Sequence, residues 1–290
     1  MQMKGIITAM LTPFKEDQTI DEAAARKQVN RLIDEGISGL FILGTNGEFF
    51  SLSMDEKVQF ARIVVDEVKG RIPVCAGTGA ISTAEVIELT RRMEEAGVDS
   101  VSVITPYLMT LSQQELVNHY KKVASATSLP ILIYHMPGRT NNRLSPETVA
   151  ELSRVENIVG IKDSTGDFDQ ILQFIRATDD DFAVYSGADP LILWTLMAGG
   201  QGAIAATSNM YPKLVVSIYD HWKNGDLDKA REAQEKLRSI RDASSMASTP
   251  AVFKKAMELL GHPVGPPRDP VEPVTQAVEE KLKEIMKAYE

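Results

Sequence analysis

The sequence predicts an α/β fold, a (β/α)8 TIM barrel followed by a C-terminal helical appendix. Eight short apolar runs alternate with amphipathic stretches, and parallel strands need such long crossovers. Eight is also the number of strands that closes a barrel with a side-chain-filled interior. No glycine-rich dinucleotide fingerprint follows the first strand, which disfavours a doubly wound open sheet. The predicted strands are Gly5–Leu11, Gly39–Leu43, Pro73–Gly77, Ser100–Thr105, Pro130–Tyr134, Ile158–Lys162, Phe182–Ser186 and Gly202–Ala205.

Several of the intervening helices begin with a serine or aspartate that can cap the helix. Ser53 and Ser112 each have a glutamate three residues later, Glu56 and Glu115, in the positions of a capping box. The predicted helices are Asp21–Gly36, Ser53–Lys69, Ser82–Gly97, Ser112–Thr127, Ser145–Val155 and Phe168–Thr178.

After about Met210 the alternation ends and helices follow one another without strands between them. A connector rich in proline and glycine, residues 261–268, interrupts this part. We therefore expect residues 1–225 to form the barrel with the active site and residues 226–290 to form the C-terminal helical appendix. The helices predicted here are Tyr211–Lys223, Leu227–Met246, Pro250–Leu260 and Pro273–Tyr289.

The composition and charge of the chain argue against several classes of function. The net charge is −9 with no long basic run, which disfavours nucleic acids and anionic membranes as partners. The single cysteine, Cys75, excludes a disulfide within the chain and fits a cytoplasmic protein. The four histidines lack metal-ligand spacing, so no metal site is predicted. The N-terminus lacks a signal-peptide layout, and its apolar run is too short to span a membrane.

The sixth strand, Ile158–Lys162, ends on a lysine. An ammonium group at the end of a buried run costs free energy unless it is paired, exposed or neutral. A lysine that loses its proton near neutral pH is also a nucleophile toward carbonyl groups. Taken alone, Lys162 is more simply interpreted as a lysine that reaches water at a strand end. Its neighbours at the barrel mouth decide between the two interpretations.

Polar groups follow the other strands, and in a parallel barrel they meet at the same face. Tyr134 ends the strand adjacent to that of Lys162, where a phenol can transfer protons, and Thr45 can relay them. Each residue has a plainer interpretation alone, such as packing for Tyr134, but their convergence favours Lys162 as the nucleophile. The predicted catalytic residues are Lys162, Tyr134 and Thr45.

Substrate-binding groups are predicted at the same mouth. The turn that contains Asn46 and Gly47 exposes amides that can hold a carboxylate, and Glu48 is interpreted as a brace of this loop. Arg139 can pair with a carboxylate in bidentate fashion, although a surface arginine is an equal alternative. The predicted substrate-binding residues are Asn46, Gly47, Arg139, Tyr107 and Ala205.

Three motifs connect these residues to a known family. They are Gly44-Thr45-Asn46-Gly47-Glu48, Tyr134-His135-Met136-Pro137-Gly138-Arg139-Thr140 and Gly160-Ile161-Lys162-Asp163-Ser164-Thr165-Gly166-Asp167. In order and spacing they resemble the dihydrodipicolinate synthase / N-acetylneuraminate lyase family of lysine-dependent (β/α)8 enzymes. The likeness runs from about residue 3 to the C-terminal helices.

The resemblance implies a pyruvate-dependent class I aldolase or lyase. Lys162 would form a Schiff base with pyruvate or with the pyruvoyl part of a 2-oxo acid. Tyr134 would transfer the protons with Thr45 in its relay, and the amides around Thr45 and Asn46 would hold the pyruvate carboxylate. The family also implies a homotetramer built from two dimers, with no metal or organic cofactor.

The resemblance leaves the second substrate open. Arg139 looks like the arginine with which the synthases bind the carboxylate of aspartate semialdehyde, which favours condensation of that aldehyde with pyruvate. The synthases usually have two threonines where this chain has Thr45-Asn46, and a relay tyrosine where it has Leu108. Those differences favour cleavage of a 2-keto-3-deoxy sugar acid or of 4-hydroxy-2-oxoglutarate. A third possibility is a catalytically weak homologue that only binds pyruvate.

Overall fold

The barrel predicted from the sequence is confirmed in a computed structural model, which describes residues 3–289. Eight parallel strands close into a ring in chain order, and β1 pairs with both β2 and β8. Nearly every strand residue is buried, because helices cover the outside and side chains fill the inside. The strands are β1 Gly5–Ala9, β2 Gly39–Ile42, β3 Val74–Gly77, β4 Ser100–Ile104, β5 Ile131–His135, β6 Ile158–Asp163, β7 Ala183–Ser186 and β8 Gly202–Ala205.

The helices around the barrel begin and end close to their predicted limits. Capping boxes at Ser53 and Ser112 are both formed. Two short helices were not predicted, since four and six residues are too few to show helical periodicity. The helices are α1 Glu22–Asp34, α2 Met54–Val68, α3 Thr83–Glu95, α4 Gln113–Ala124, α5 Pro137–Thr140, α6 Pro146–Leu152, α7 Phe168–Ala177 and α8 Ile192–Met197.

Four further helices complete the C-terminal part of the chain. They are α9 Pro212–Lys223, α10 Leu227–Ala243, α11 Thr249–Leu259 and α12 Gln276–Met286. Their apolar faces join β1, β8 and α8 in one hydrophobic cluster, so this part packs directly on the closing strands of the barrel. The boundary between barrel and appendix near residue 225 stays a prediction. In the structure one hydrophobic cluster includes residues on both sides of it.

The pairing of β5 with β6 determines the geometry of the barrel mouth. Tyr134 lies beside Lys162 in the register, and His135 lies beside Asp163. Both pairs are at the carboxyl ends of their strands, where a parallel barrel places its site. Within residues 3–289, no helix is long and apolar enough to cross a membrane.

Candidate active site

A cavity of about 170 Å³ opens at the carboxyl ends of the strands. It brings together five of the predicted site residues, three with catalytic and two with binding roles. The side chains come from the β2–α2 turn, from β5 and the helix after it, and from β6. The five residues are Thr45, Asn46, Tyr134, Arg139 and Lys162.

Lys162 reaches this cavity from the end of β6 and is only 4% exposed. Its Nζ atom lies 4.1 Å from the centre of the Tyr134 ring and 4.8 Å from the centre of the Phe41 ring. Aromatic faces attract an ammonium group but do not bind it as a carboxylate does. The amine is therefore sheltered from solvent and held in place by these two rings through contacts weaker than an ion pair.

The Tyr134 hydroxyl lies next to the amine and has two weak partners. It donates to Met136 Sδ at 3.0 Å, and it lies 3.4 Å from Thr45 Oγ1. A thioether is a poor acceptor, so little free energy is lost when the phenol breaks this contact and turns toward a substrate. The phenol can thus exchange protons with a group bound at Lys162 and with Thr45.

A buried His135–Asp163 pair fixes the strand ends behind Tyr134 and Lys162. His135 Nδ1 lies 2.6 Å from Asp163 Oδ1, and both side chains are fully buried. The Leu144 amide donates to His135 Nε2 at 3.2 Å, so the ring proton is on Nδ1 and points at the carboxylate. Thr165 Oγ1 donates to Asp163 Oδ2 at 2.5 Å. This pair couples β5 to β6 one residue beyond the two reacting side chains.

The turn after β2 carries Thr45 and Asn46 to the cavity. Residues on both sides of it, Leu43 and Glu48, have left-handed backbone conformations with φ of 59° and 53°. Such conformations strain residues other than glycine and persist only where surrounding contacts impose them. Thr12 Oγ1 donates to the Gly47 carbonyl at 2.6 Å and supplies one of these contacts.

The remaining predicted binding residues lie outside the cavity wall. The Gly47 carbonyl is taken by Thr12, and Tyr107 packs edge to face on Phe49 with ring centres 6.4 Å apart. The assignment of Ala205 needs correction. Its side chain points outward into the cluster with the C-terminal helices, because side chains alternate along a strand. Ile204 and Ala206 line the cavity instead.

Arg139 lies in the short helix α5 and is exposed at the cavity rim. A second guanidinium group, that of Arg241 on α10, lines the same cavity. Arg241 Nη1 donates to Ser244 Oγ at 2.6 Å, so the two side chains lie together on this wall. Both come from the C-terminal helical part, and no spacing in the sequence connects them to the barrel mouth.

Ser164 and Gly187 also line the cavity, although neither was predicted as a site residue. The buried Ser164 hydroxyl has no hydrogen-bond partner among the described residues, so it can bind a substrate oxygen. Its position two residues after Lys162, on the same face of the chain, was the available signal. Gly187 leaves the space that Lys162 Cε and Ser164 Oγ occupy.

The single cysteine of the chain belongs to the buried core of the barrel. Cys75 is fully buried on β3, and burial raises the pKa of its thiol to about 12. It therefore stays protonated and packs as a small core residue. Among residues 3–289, no group of three or more His, Cys, Asp or Glu side chains is placed to hold a metal ion.

The barrel and its sheltered strand-end lysine define a carbon–carbon lyase of the class I aldolase type. Comparison with known proteins agrees, since the model of the dihydrodipicolinate synthetase family matches residues 2–289. The chain belongs to this family.

Individual relatives match over nearly the full length of the chain. The 4-hydroxy-tetrahydrodipicolinate synthase of Methanopyrus kandleri is 40% identical, over 99% of this chain and 96% of the relative. The crystal structure of a dihydrodipicolinate synthase from Bacillus anthracis superposes with a TM-score of 0.96 at 38% identity, covering 99% of this chain and 98% of that one. YagE, a family member from Escherichia coli K12 solved in complex with pyruvate, gives a TM-score of 0.95 at 32% identity, covering 98% and 97%.

Proposed function

We propose that this protein forms a Schiff base between Lys162 and pyruvate and condenses the resulting enamine with an aldehyde. The observation that carries the proposal is the position of the Lys162 amine, which is buried, lies against the Tyr134 ring and faces the cavity. Thr45 and Asn46 line the same cavity, where the amides of their turn can take the pyruvate carboxylate.

The proposed chemistry needs a proton shuttle at each step. The neutral amine attacks the ketone carbon, the oxygen takes a proton, and the carbinolamine then loses water to give a protonated imine. That imine withdraws electrons, so the adjacent methyl group loses a proton and becomes a nucleophilic enamine. The enamine carbon adds to the aldehyde, whose oxygen takes a proton, and water releases the product from Lys162. Tyr134 is the proposed donor and acceptor of these protons, with Thr45 next to it.

Borohydride reduction in the presence of pyruvate tests the proposal directly. We expect the intact mass to increase by that of one reduced pyruvate adduct, and peptide mapping should locate the adduct at Lys162. Omitting pyruvate is the control. An unmodified Lys162 after this treatment would show that the proposed Schiff base does not form.

We propose an aldehyde that carries a carboxylate, such as aspartate semialdehyde, as the second substrate. Two guanidinium groups, Arg139 and Arg241, line the same cavity as Lys162 and Tyr134. A guanidinium binds a carboxylate by two parallel hydrogen bonds, so either arginine offers the required recognition. The relative from Methanopyrus kandleri is named a 4-hydroxy-tetrahydrodipicolinate synthase, which supports this candidate.

The alternative is cleavage of a 2-keto-3-deoxy sugar acid or of 4-hydroxy-2-oxoglutarate to pyruvate. Leu108, which is 77% exposed, cannot pass a proton, and the described partners of the Thr45 hydroxyl are Tyr134 and Met136. The unpaired Ser164 hydroxyl in the cavity suits a hydroxylated substrate. Both observations favour this second candidate over a synthase with an extended proton relay.

Replacing Arg139 with alanine separates the two reactions. If Arg139 binds the aldehyde's carboxylate, Arg139→Ala should lower kcat/KM for aspartate semialdehyde by roughly a hundredfold and leave adduct formation with pyruvate intact. Arg241→Ala on α10 is the matched comparison. The assay offers pyruvate with several aldehydes, and separately several 2-keto-3-deoxy acids, with products detected by mass. Full activity of Arg139→Ala with aspartate semialdehyde would exclude this role. Absence of any product with the unchanged protein would favour a homologue that only binds pyruvate.

We further propose that the protein is a cytoplasmic homotetramer built from two dimers. Leu108 and Met109 are 77% and 66% exposed, and Ile81 and Phe50 are about half exposed. Leu108 also has a left-handed backbone, with φ of 81°, which a contact with a second copy would explain. Light scattering measures the mass of the assembly, and a monomer at micromolar concentration would contradict the proposal. The single buried thiol fits a reducing compartment.

A further inference from the structure

The turn that carries Thr45 and Asn46 is anchored by a buried ion pair. Glu48, which ends the turn, is fully buried, and Lys254 on α11 is 2% exposed. Lys254 Nζ lies 2.7 Å from Glu48 Oε1 and also donates to the Pro266 carbonyl at 2.8 Å. The backbone amide of Arg268 donates to the other oxygen, Glu48 Oε2, at 2.8 Å. A buried carboxylate with this many partners has a fixed position.

The backbone of the turn gives this anchor its importance. The Glu48 amide donates to the Thr45 carbonyl at 3.1 Å, so a shift of Glu48 moves the residue that carries the relay hydroxyl. Glu48 is held in a left-handed conformation with φ of 53°, which strains the backbone of a residue other than glycine. Without its anchor, the backbone at Glu48 can relax toward an ordinary conformation. Thr45 then leaves its place 3.4 Å from the Tyr134 hydroxyl.

From these contacts we infer that Glu48 and Lys254 are positioning residues for pyruvate binding and proton transfer, through which α11 controls the Thr45 turn. The inference rests on the proposed function, because it assumes that this turn holds the pyruvate carboxylate. It also gives the C-terminal helices a role in the chemistry. Helix α11 lines the cavity with Thr249 and Phe253 while its next residue, Lys254, holds the turn.

The surroundings of Lys254 make this anchor sensitive to pH. The pKa of Lys254 is lowered to about 8, chiefly by burial, and the nearby Arg268 guanidinium also lowers it while the Glu48 carboxylate opposes both effects. The Phe14 ring lies under both cations, 4.1 Å from Lys254 Nζ and 4.3 Å from Arg268 Cζ. Above about pH 8 the folded protein therefore loses the ammonium group that pairs with Glu48.

This loss weakens the anchor without weakening the fold. In the unfolded chain a lysine keeps its proton until its ordinary pKa of 10.5, so between about pH 8 and 10.5 the unfolded state binds more protons. Stability rises with pH wherever that holds, so this group does not cause alkaline unfolding. The expected effect is a rise in KM for pyruvate above about pH 8 in a protein that remains folded.

Three variants test the inference, with Lys255→Met on the same helix as the matched control. Lys254→Met and Glu48→Gln should each raise KM for pyruvate and lower kcat, by roughly ten- to a hundredfold in kcat/KM. The double variant Glu48→Gln/Lys254→Met removes both charges and should recover thermal stability but not KM. Lys255 pairs with Glu258 on the protein surface, so Lys255→Met should keep the kinetics of the unchanged protein. The alkaline rise in KM should be absent in Glu48→Gln.

The outcomes separate this inference from the proposed function. If the unchanged protein forms no borohydride-trapped adduct with pyruvate at Lys162, the proposed function fails. If the adduct forms but folded Glu48→Gln and the folded double variant keep the original KM and kcat, the positioning role fails. Recovery of KM together with stability in the double variant would mean that the pair is only structural. Should Lys254→Met not fold, Glu48→Gln and the double variant still decide the question.

Discussion

Replacing Lys162 with methionine is expected to abolish both turnover and the pyruvate adduct. Methionine is similar in length, is apolar and cannot form an imine, so it removes the nucleophile while it still fills the space beside Tyr134 and Phe41. Loss of a nucleophile on which a covalent mechanism depends lowers kcat by about 10⁴-fold or more. The measurements are kcat, for the substrate identified by the assay with several aldehydes and 2-keto-3-deoxy acids, and the protein mass after borohydride reduction.

The stability of the variant distinguishes a catalytic role from a structural one. Lys162 is 4% exposed, and its close neighbours include two aromatic rings. Removing a buried amine from such a place should leave the melting temperature unchanged or raise it. Lys213→Met, at an exposed position of α9, controls for the loss of one positive charge. Substantial turnover by folded Lys162→Met would rule out Lys162 as the nucleophile.

The order of the barrel and the neighbours of Lys162 could be predicted from the sequence. Apolar runs alternating with amphipathic helices imply parallel strands in chain order, and that order alone puts β5 beside β6. Tyr134 and Lys162 were therefore expected to be adjacent, and the register pairs them directly. This could be predicted because the residues of each strand identify it as a strand, and its neighbours in the barrel are the strands before and after it in the chain.

Contacts between distant parts of the chain could not be predicted in this way. Arg241 and Ser244 reach the cavity from α10 and its end, and Lys254 meets Glu48 from the far end of the chain. Nothing in an amphipathic helix indicates which end of a barrel it will cover. Ala205 shows the same limit at a smaller scale, because its face depends on where β8 begins its alternation.

Gly187, at the end of β7, is the position where a single methyl group should do most damage after Lys162. A Cβ atom added there would lie 2.8 Å from Lys162 Cε, 2.0 Å from Ser164 Oγ and 2.9 Å from the Asp163 carbonyl oxygen. The Ser164 hydroxyl can rotate away, but the carbonyl belongs to β6 and accepts the Gly187 amide at 2.6 Å. Because this hydrogen bond keeps the backbone of Gly187 close to β6, the added methyl group must displace the Lys162 side chain. We expect Gly187→Ala to lower kcat/KM for pyruvate by roughly a hundredfold, because a displacement of about 1 Å at a reacting atom has effects of that size.

Gly138→Ala is the matched control for Gly187→Ala. Gly138 lies in α5, beside the cavity-lining Arg139, and an added Cβ there meets no atom within 4 Å. It should keep the kinetics of the unchanged protein, and a helical alanine in place of glycine should stabilise it slightly. Folded Gly187→Ala should still bind pyruvate weakly, yet form the reduced adduct far more slowly than the control. If Gly187→Ala forms the adduct at the normal rate, the prediction is wrong. The close packing of Lys162 against Tyr134 and Gly187 would then not be required for imine formation.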